Sequence, residues 1–560
     1  MNAVFTRIAF AAALLVVPAI GYAQTPAAPA ATDKPKATAS VRGRITAADT
    51  GRGLRRAQVS LGGSDLPQRR TASTNTRGEY EIRDLPAGRY TVSVARSGYL
   101  PFEYGQRRAG ERGKSLELDE GEAITNIDIA VPRASVISGR VIDENSEPVP
   151  GVSVWIMRQE FFRGRKRLVP STIGVRTDDI GQYRATGLSP GEYIVFATLR
   201  ETWTVTTAGM QQTLGYAPTF YPGTVAVDQA QHVKVVAGKE TPNVEVALIA
   251  APAVTISGTA RRFDGGPLVG GSINLNQVVI GPGGGSFGGI TSATVDGDGG
   301  WRLKDVPPGE YELEASGGDR SARERAWTKV VVQGADIEGV SLVSAGPVRI
   351  SGEVVTESGA ALPQVNGGRL RVTIETTGDR RSELFQAGDD NGQVKSDGAF
   401  TFTGIAEPSI VRVAPLPRRW AIKSVEIGGR EVPDGVLDLK AGQNIEGIRI
   451  VLTDLFPAVT GGISDERAAP AEGSVVLFPA DYARWVSAGA VIRFGRTDQK
   501  GIFRLENVPP GDYFVVALDA LESWQAYDPE FLAEIKPRAE RLTVHEGASP
   551  QLALRLVKEQ

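Results

Sequence analysis

There is no cysteine in this chain. No disulfide can staple it, no lipidated cysteine can anchor it, and cysteine-based metal or thiol chemistry is excluded. Histidine is almost as scarce: His232 and His545 stand 313 residues apart. A zinc site or a histidine acid–base centre needs accompanying ligands, and neither histidine has them in its neighbourhood. Both read as ordinary strand or loop residues. Long apolar runs are missing beyond the N-terminus, and helical periodicity is nearly absent. Nor is there an excess of one charge. A formal net charge of −3, with both signs mixed along the chain, gives no general attraction to nucleic acid or anionic membrane.

The N-terminus carries the one export signal. Arg7 is followed by an apolar run from Ile8 to Ile20 and by the small-residue pattern Gly21-Tyr22-Ala23. This predicts a signal peptide over 1–23, cleaved after Ala23, and a secreted or periplasmic protein with no transmembrane segment in the mature chain. Residues 24–40 are rich in Ala, Pro and Thr, too poor in large apolar groups to offset their ordering entropy, and read as a flexible linker.

What the chain does have is glycine, proline and repetition: 66 Gly and 34 Pro in 560 residues. Three landmarks recur in order. The first is a short strand around a central glycine, at Gly43, Gly139, Gly258, Gly352 and Gly461, separated by 96, 119, 94 and 109 residues. The second is a hairpin that runs from Tyr80 to Tyr90, Tyr183 to Tyr193, Trp301 to Tyr311 and Phe503 to Tyr513, with a Pro/Gly turn between. Proline presets φ, glycine reverses the chain, and the returning strand alternates apolar Tyr90, Val92 and Val94 with polar residues. The fourth copy keeps Phe400 and Phe402 but has Glu407-Pro408-Ser409 for its turn and apolar positions at Val411 and Val413, so a different turn or a bulge is expected there. The third landmark is a glycine followed by two apolar residues: Gly121 with Ile127 and Ile129, Gly238 with Val244 and Val246, Gly334 with Val340 and Leu342, Gly442 with Ile448 and Ile450, and a shorter Gly547 with Leu552 and Leu554. Short, evenly spaced strands of this kind imply antiparallel sandwiches. Asp528-Pro529-Glu530 is an N-cap, an N1 proline and an acidic first turn, predicting one short helix with Phe531, Leu532 and Ile535 on its apolar side.

The opening S-G-x-V strand, the P-x-x-G-V-x-V segment Pro148–Val154 and the G-x-Y…L-x-P-G-x-Y hairpin resemble carboxypeptidase regulatory-like domains. These are transthyretin-like (prealbumin-like) sandwiches, often grouped with starch-binding-like folds. The segment Tyr216–Gly223 is similar to one found in multi-repeat secreted bacterial members. The resemblance covers nearly all of 41–560 and implies an all-β chain of five tandem antiparallel Greek-key β-sandwich domains with an immunoglobulin-like outline. The expected divisions are 41–133, 134–252, 253–347, 348–454 and 455–560, after the signal peptide and linker. In the family such a domain accompanies a metallocarboxypeptidase or a TonB-dependent barrel. The first needs a His-x-x-Glu pair, whereas His232 precedes Val-Lys-Val and His545 precedes Glu-Gly-Ala. The second needs long, evenly spaced membrane strands, and the repeats occupy that space.

No catalytic residue, cofactor or metal site is expected. The loop Gly281–Gly289 matches G-x-S-x-G and G-x-G-x-x-G by composition, but a strand-like run follows where those motifs require a helix. Asp296-Gly297-Asp298-Gly299-Gly300 begins like a calcium loop, yet the twelfth position is Pro307. Asp178-Asp179 and Asp498 occupy equivalent turns, which favours a structural role over a weak calcium contact. Arg163, Arg165, Lys166 and Arg167 form a basic insertion, either a solvated hairpin tip or a contact for an anionic surface. Trp203, Tyr216, Phe220 and Tyr221 make the densest aromatic patch and are the candidate binding residues. Packing between domains, a sugar platform and a protein interface all use such rings. The expected function is a non-catalytic binding or scaffold protein of the bacterial cell envelope, with an envelope protein or a polysaccharide as partner.

Overall fold

The computed structural model describes residues 38–558, except 64–65, 67, 163–164, 208, 278–288, 319–323, 366–367, 378–391, 406–407, 441 and 487–490. The expected signal peptide, the linker as far as residue 37, most of the Gly281–Gly289 loop, Arg163, and the fourth copy's turn at Glu407 lie outside the described residues.

The chain is all-β, and the same pairing scheme recurs along it. Opening strands span Ala39–Ala47, Ser135–Ile142, Val254–Arg261, Pro347–Thr356 and Val459–Ser464. Each pairs antiparallel with the first strand of its hairpin and parallel with the closing strand of the same repeat. A parallel pair needs a long crossover, and here the whole body of the repeat supplies it. In the first four repeats a second sheet is built on the returning strand, Gly88–Ala95, Gly191–Thr198, Gly309–Gly317 or Ser409–Ala414. In the fifth, the closing strand Gln551–Val557 pairs with both the opening strand and the returning strand Gly511–Leu518 and joins them in one seven-stranded sheet.

All three sequence landmarks converge on one point. The central glycine of each opening strand sits opposite the hairpin aromatic: Gly43 opposite Tyr80, Gly139 opposite Tyr183, Gly258 opposite Trp301, Gly352 opposite Phe400 and Gly461 opposite Phe503. A Cβ at any of these glycines would lie 1.8–2.0 Å from the carbonyl oxygen of Ile127, Val244, Val340, Ile448 or Leu552. That carbonyl belongs to the first apolar residue of the third landmark, so the backbones approach more closely than any side chain permits. In the first two repeats the hydroxyls of Tyr80 and Tyr183 donate to it at 2.8 Å. The second tyrosine of the hairpin closes its own turn. Tyr90, Tyr193, Tyr311 and Tyr513 donate to the carbonyls of Pro86, Ser189, Pro307 and Pro509 at 2.7–2.9 Å, four residues upstream in every case. The fourth repeat has no tyrosine there, and Val411 and Val413 are buried in its core instead.

Buried side chains of each repeat meet in one cluster: Ala39–Val131, Ile137–Leu248, Val254–Leu342, Val348–Leu452 and Val459–Leu554. These stretches are called the first to fifth units below. The fifth adds a second cluster, in which Leu532 and Ile535 of the helix Pro529–Ile535 cover the outer face of its sheet. Asp528 caps that helix by accepting the Glu530 N–H at 2.9 Å, as its sequence predicts.

Candidate functional site

The four aromatic candidates all lie in the second unit, half-buried, but not on one plane. Trp203 and Tyr216 sit on a hairpin of Thr202–Thr207 and Met210–Ala217, their rings 4.8 Å apart and tilted by 48°. The second strand of that hairpin pairs with Ile249–Pro252, the segment that leads into the third unit. Phe220 leans on Phe196 with centroids 4.6 Å apart, in a small cluster with Met157 and Ile194. Tyr216 and Tyr221 pack against the main core of the unit. Burial, together with the carboxylates of Glu144, Asp143 and Glu201, pushes the Tyr216 hydroxyl up to about 12. The structure thus brings Trp203 and Tyr216 together and divides Phe220 and Tyr221 between two packing environments.

The turn aspartates have a definite use. Asp178 Oδ1 accepts the N–H groups of Ile180 and Gln182, Asp296 Oδ1 those of Asp298 and Gly300, and Asp498 Oδ1 those of Lys500 and Ile502. Asn75 holds the same turn in the first unit through Arg77 and Glu79. A carboxylate oxygen engaged by two backbone donors closes the turn on its own chain. Among the described residues no group of three His, Cys, Asp or Glu side chains is placed to hold a metal. His232 Nδ1 lies 3.4 Å from the Glu192 carboxylate on the surface.

The basic insertion is used inside the molecule. Lys166 pairs with Glu530 at 3.3 Å, Phe161 stacks on Trp524 with centroids 6.4 Å apart, and Arg158 pairs with Glu522 at 2.7 Å. All three partners belong to the fifth unit. The fifth unit also meets the first. Arg496 Nη1 donates to Glu111 Oε2 at 2.7 Å with both side chains fully buried, and Gln499 Nε2 donates to the Glu117 carbonyl at 2.9 Å. Glu111 is held in place by the N–H groups of Arg107 and Arg108. Toward the fourth unit, Arg418 pairs with Glu506 at 2.8 Å and Asn507 Nδ2 donates to the Arg418 carbonyl at 2.9 Å.

These contacts carry no periodicity or motif, because the partners are up to 385 residues apart. The one local sign is that Arg496 occupies the strand position held by Thr294 in the third unit, two residues before the turn aspartate.

Residues 40–132 and 136–248 match the family model of the carboxypeptidase regulatory-like domain. The first two units are carboxypeptidase regulatory-like domains. They stand in tandem, and the glycine–aromatic–carbonyl contact that organises both domains recurs in the third, fourth and fifth units. A comparison with curated proteins found no match. Solved structures with similarity include the Bacillus anthracis TIE protein, 12% identical, with 70% of this chain and 68% of that one covered and a TM-score of 0.15. A streptococcal ancillary pilin is 13% identical, covering 55% of this chain and 98% of its own, with a TM-score of 0.19. The minor pilin of Streptococcus agalactiae is 16% identical over 38% of this chain and 98% of its own, with a TM-score of 0.21. Among the described residues no helix is long and apolar enough to cross a membrane.

Proposed function

We propose that this chain is a non-catalytic scaffold of the bacterial cell envelope, exported through its N-terminal signal and built from five sandwich domains divided at 41–133, 134–252, 253–347, 348–454 and 455–560. The observation that carries this reading is where the converging charges lie. The fully buried Arg496–Glu111 pair lies at a junction between units, and further ion pairs join the second and fourth units to the fifth. The groups that meet in the cleft among the first, fourth and fifth units are mostly guanidinium groups, which cannot give up a proton near neutral pH and so cannot act as general bases. Of the two carboxylates lining it, Glu103 accepts the Gly113 N–H and Glu506 is paired with Arg418 and Arg504.

The aromatic patch fits the same reading. Its rings are half-buried against unit cores and beside the junction to the third unit, which supports a packing role over a flat sugar platform. Crosslinking in the producing cells, followed by fractionation, tests the proposal. A scaffold gives reproducible crosslinks to an envelope protein. Crosslinks confined to the chain itself, together with a glycan-array signal lost in Trp203→Ala, would replace it with carbohydrate binding.

A further inference from the structure

The first, fourth and fifth units enclose a cleft of about 900 Å³ whose lining is strongly cationic. Arg69, Arg89 and Arg112 come from the first unit, Arg418 from the fourth, and Arg493, Arg496 and Arg504 from the fifth, against two carboxylates, Glu103 and Glu506. This local excess stands out in a chain whose own net charge is −3. The existing pairings neutralise part of it, with Arg496 held by buried Glu111 at 2.7 Å. Glu506 serves both Arg418 and Arg504, at 2.8 and 3.0 Å. Arg493 donates to the carbonyls of Glu506, Ile492 and Asn507, and Arg112 to that of Phe494, which orients these forks.

Arg89 sits within this excess. Its Nε is buried without a hydrogen-bond partner. Burial, then the like charge of Arg418 across the cleft, hold its pKa below the ordinary arginine value against the opposing pull of Glu506, Glu117 and Asp498. Behind it, buried Arg496 keeps Nε and Nη2 unpartnered while Nη1 holds Glu111. Like charges facing each other between low-dielectric walls raise the local potential and attract a counter-ion. Planar guanidinium forks match oxyanions bidentately.

We propose that this cleft is a binding site for a ligand carrying two or more oxyanion groups, with Arg89 and Arg418 as its central contacts. More than one anionic group is required because the guanidinium groups are spread over three units, and the volume lies at the upper end of the range for small-ligand sites. Carboxylates, phosphates and sulfates share the chemistry. The site does not depend on the scaffold reading, whose test is a crosslink to an envelope protein.

Titration calorimetry of the full chain with tripolyphosphate, trigalacturonate and sucrose octasulfate tests the site, with maltotriose as the neutral control. At least one anionic probe binds, maltotriose does not, and affinity falls as salt is raised. Arg89→Gln weakens binding at least tenfold, Arg89→Gln with Arg418→Gln weakens it further, and Arg302→Gln in the third unit leaves it unchanged. The tightest of the three probes identifies the anion class. Arg89→Gln removes no hydrogen bond from Nε, so it keeps the test open if the double variant loses its melting transition. No binding by any anionic probe at millimolar concentration, or undiminished binding in Arg89→Gln, overturns the proposal.

Discussion

The third and fifth units share one sandwich plan and differ in what lies outside it. On the returning strand of the third, Gly309–Gly317, buried Tyr311, Leu313 and Ala315 alternate with Glu312 and Glu314. The corresponding strand of the fifth, Gly511–Leu518, is buried without interruption from Tyr513 onward, because Phe514 and Val516 replace the two glutamates. In the third unit the outer face carries Glu314 paired with Arg325, and Trp327 beside it is 44% exposed. In the fifth unit, Trp485, Leu521, Leu532 and Ile535 cover that face. The lesson is that the inner face makes the sandwich and the outer face decides its place. A polar outer face gives the third unit an ion pair there instead of an apolar layer. An apolar one collects a helix and loops, and these carry the residues that dock on the second unit.

The sharpest way to break this comparison is to truncate equivalent positions. Phe514→Ala should cost the fifth unit about 3–5 kcal/mol by leaving a cavity between sheet and helix, whereas Glu312→Ala, which leaves no core cavity, should cost the third about 1 kcal/mol. Equal shifts in denaturant midpoint would remove the distinction. Next, Arg496→Ala should weaken the docking of the fifth unit on the first by about 3–5 kcal/mol, because buried Glu111 is left uncompensated. Small-angle scattering should then report expansion, and Arg496→Met combined with Glu111→Leu should recover much of the compactness. At Thr294, the matching position of the third unit, alanine should leave the scattering unchanged.

Two further substitutions probe what the units share. Gly258→Ala and Gly461→Ala should each cost at least about 1–3 kcal/mol, since the new Cβ meets a carbonyl at 1.9 and 2.0 Å. Gly462→Ala, next in the strand and with no atom within 4 Å of a built Cβ, should be neutral or stabilise by a few tenths of a kcal/mol. Tyr311→Phe and Tyr513→Phe should each cost about 1 kcal/mol, as each removes the hydrogen bond that closes its turn. A marked difference between the two tyrosines in thermal melts would mean the outer layer also supports the turn. Smallest of all, calcium should leave the melting temperature unmoved, because Oδ1 of Asp296 and of Asp498 already holds two backbone N–H groups, leaving each turn one carboxylate oxygen to offer.

Much of the fold was legible because its signals are local. The hairpin reads as Gly-x-aromatic followed by a Pro/Gly turn, and the helix as Asp528-Pro529-Glu530. The antiparallel expectation fails at the closing strands, which pair parallel with the opening strand of the same repeat and, in the fifth unit, with the returning strand as well. The alternation of Tyr513, Val515 and Ala517 was visible too, but so were Phe514, Val516 and Leu518 between them. A continuous apolar run marks a strand buried on both faces. At the candidate site, the aromatic residues could be named from composition alone, but not their division between a hairpin pair and two packing clusters.

By itself the sequence determined how each repeat folds, because strand alternation and turn chemistry act over a few residues and the obligatory glycine meets its carbonyl within the same repeat. Only the tertiary structure decided which units touch. The Arg496–Glu111 pair and the arginine cleft join side chains from separate units. Ion pairs of that kind depend on geometry and burial, which no spacing along a chain encodes.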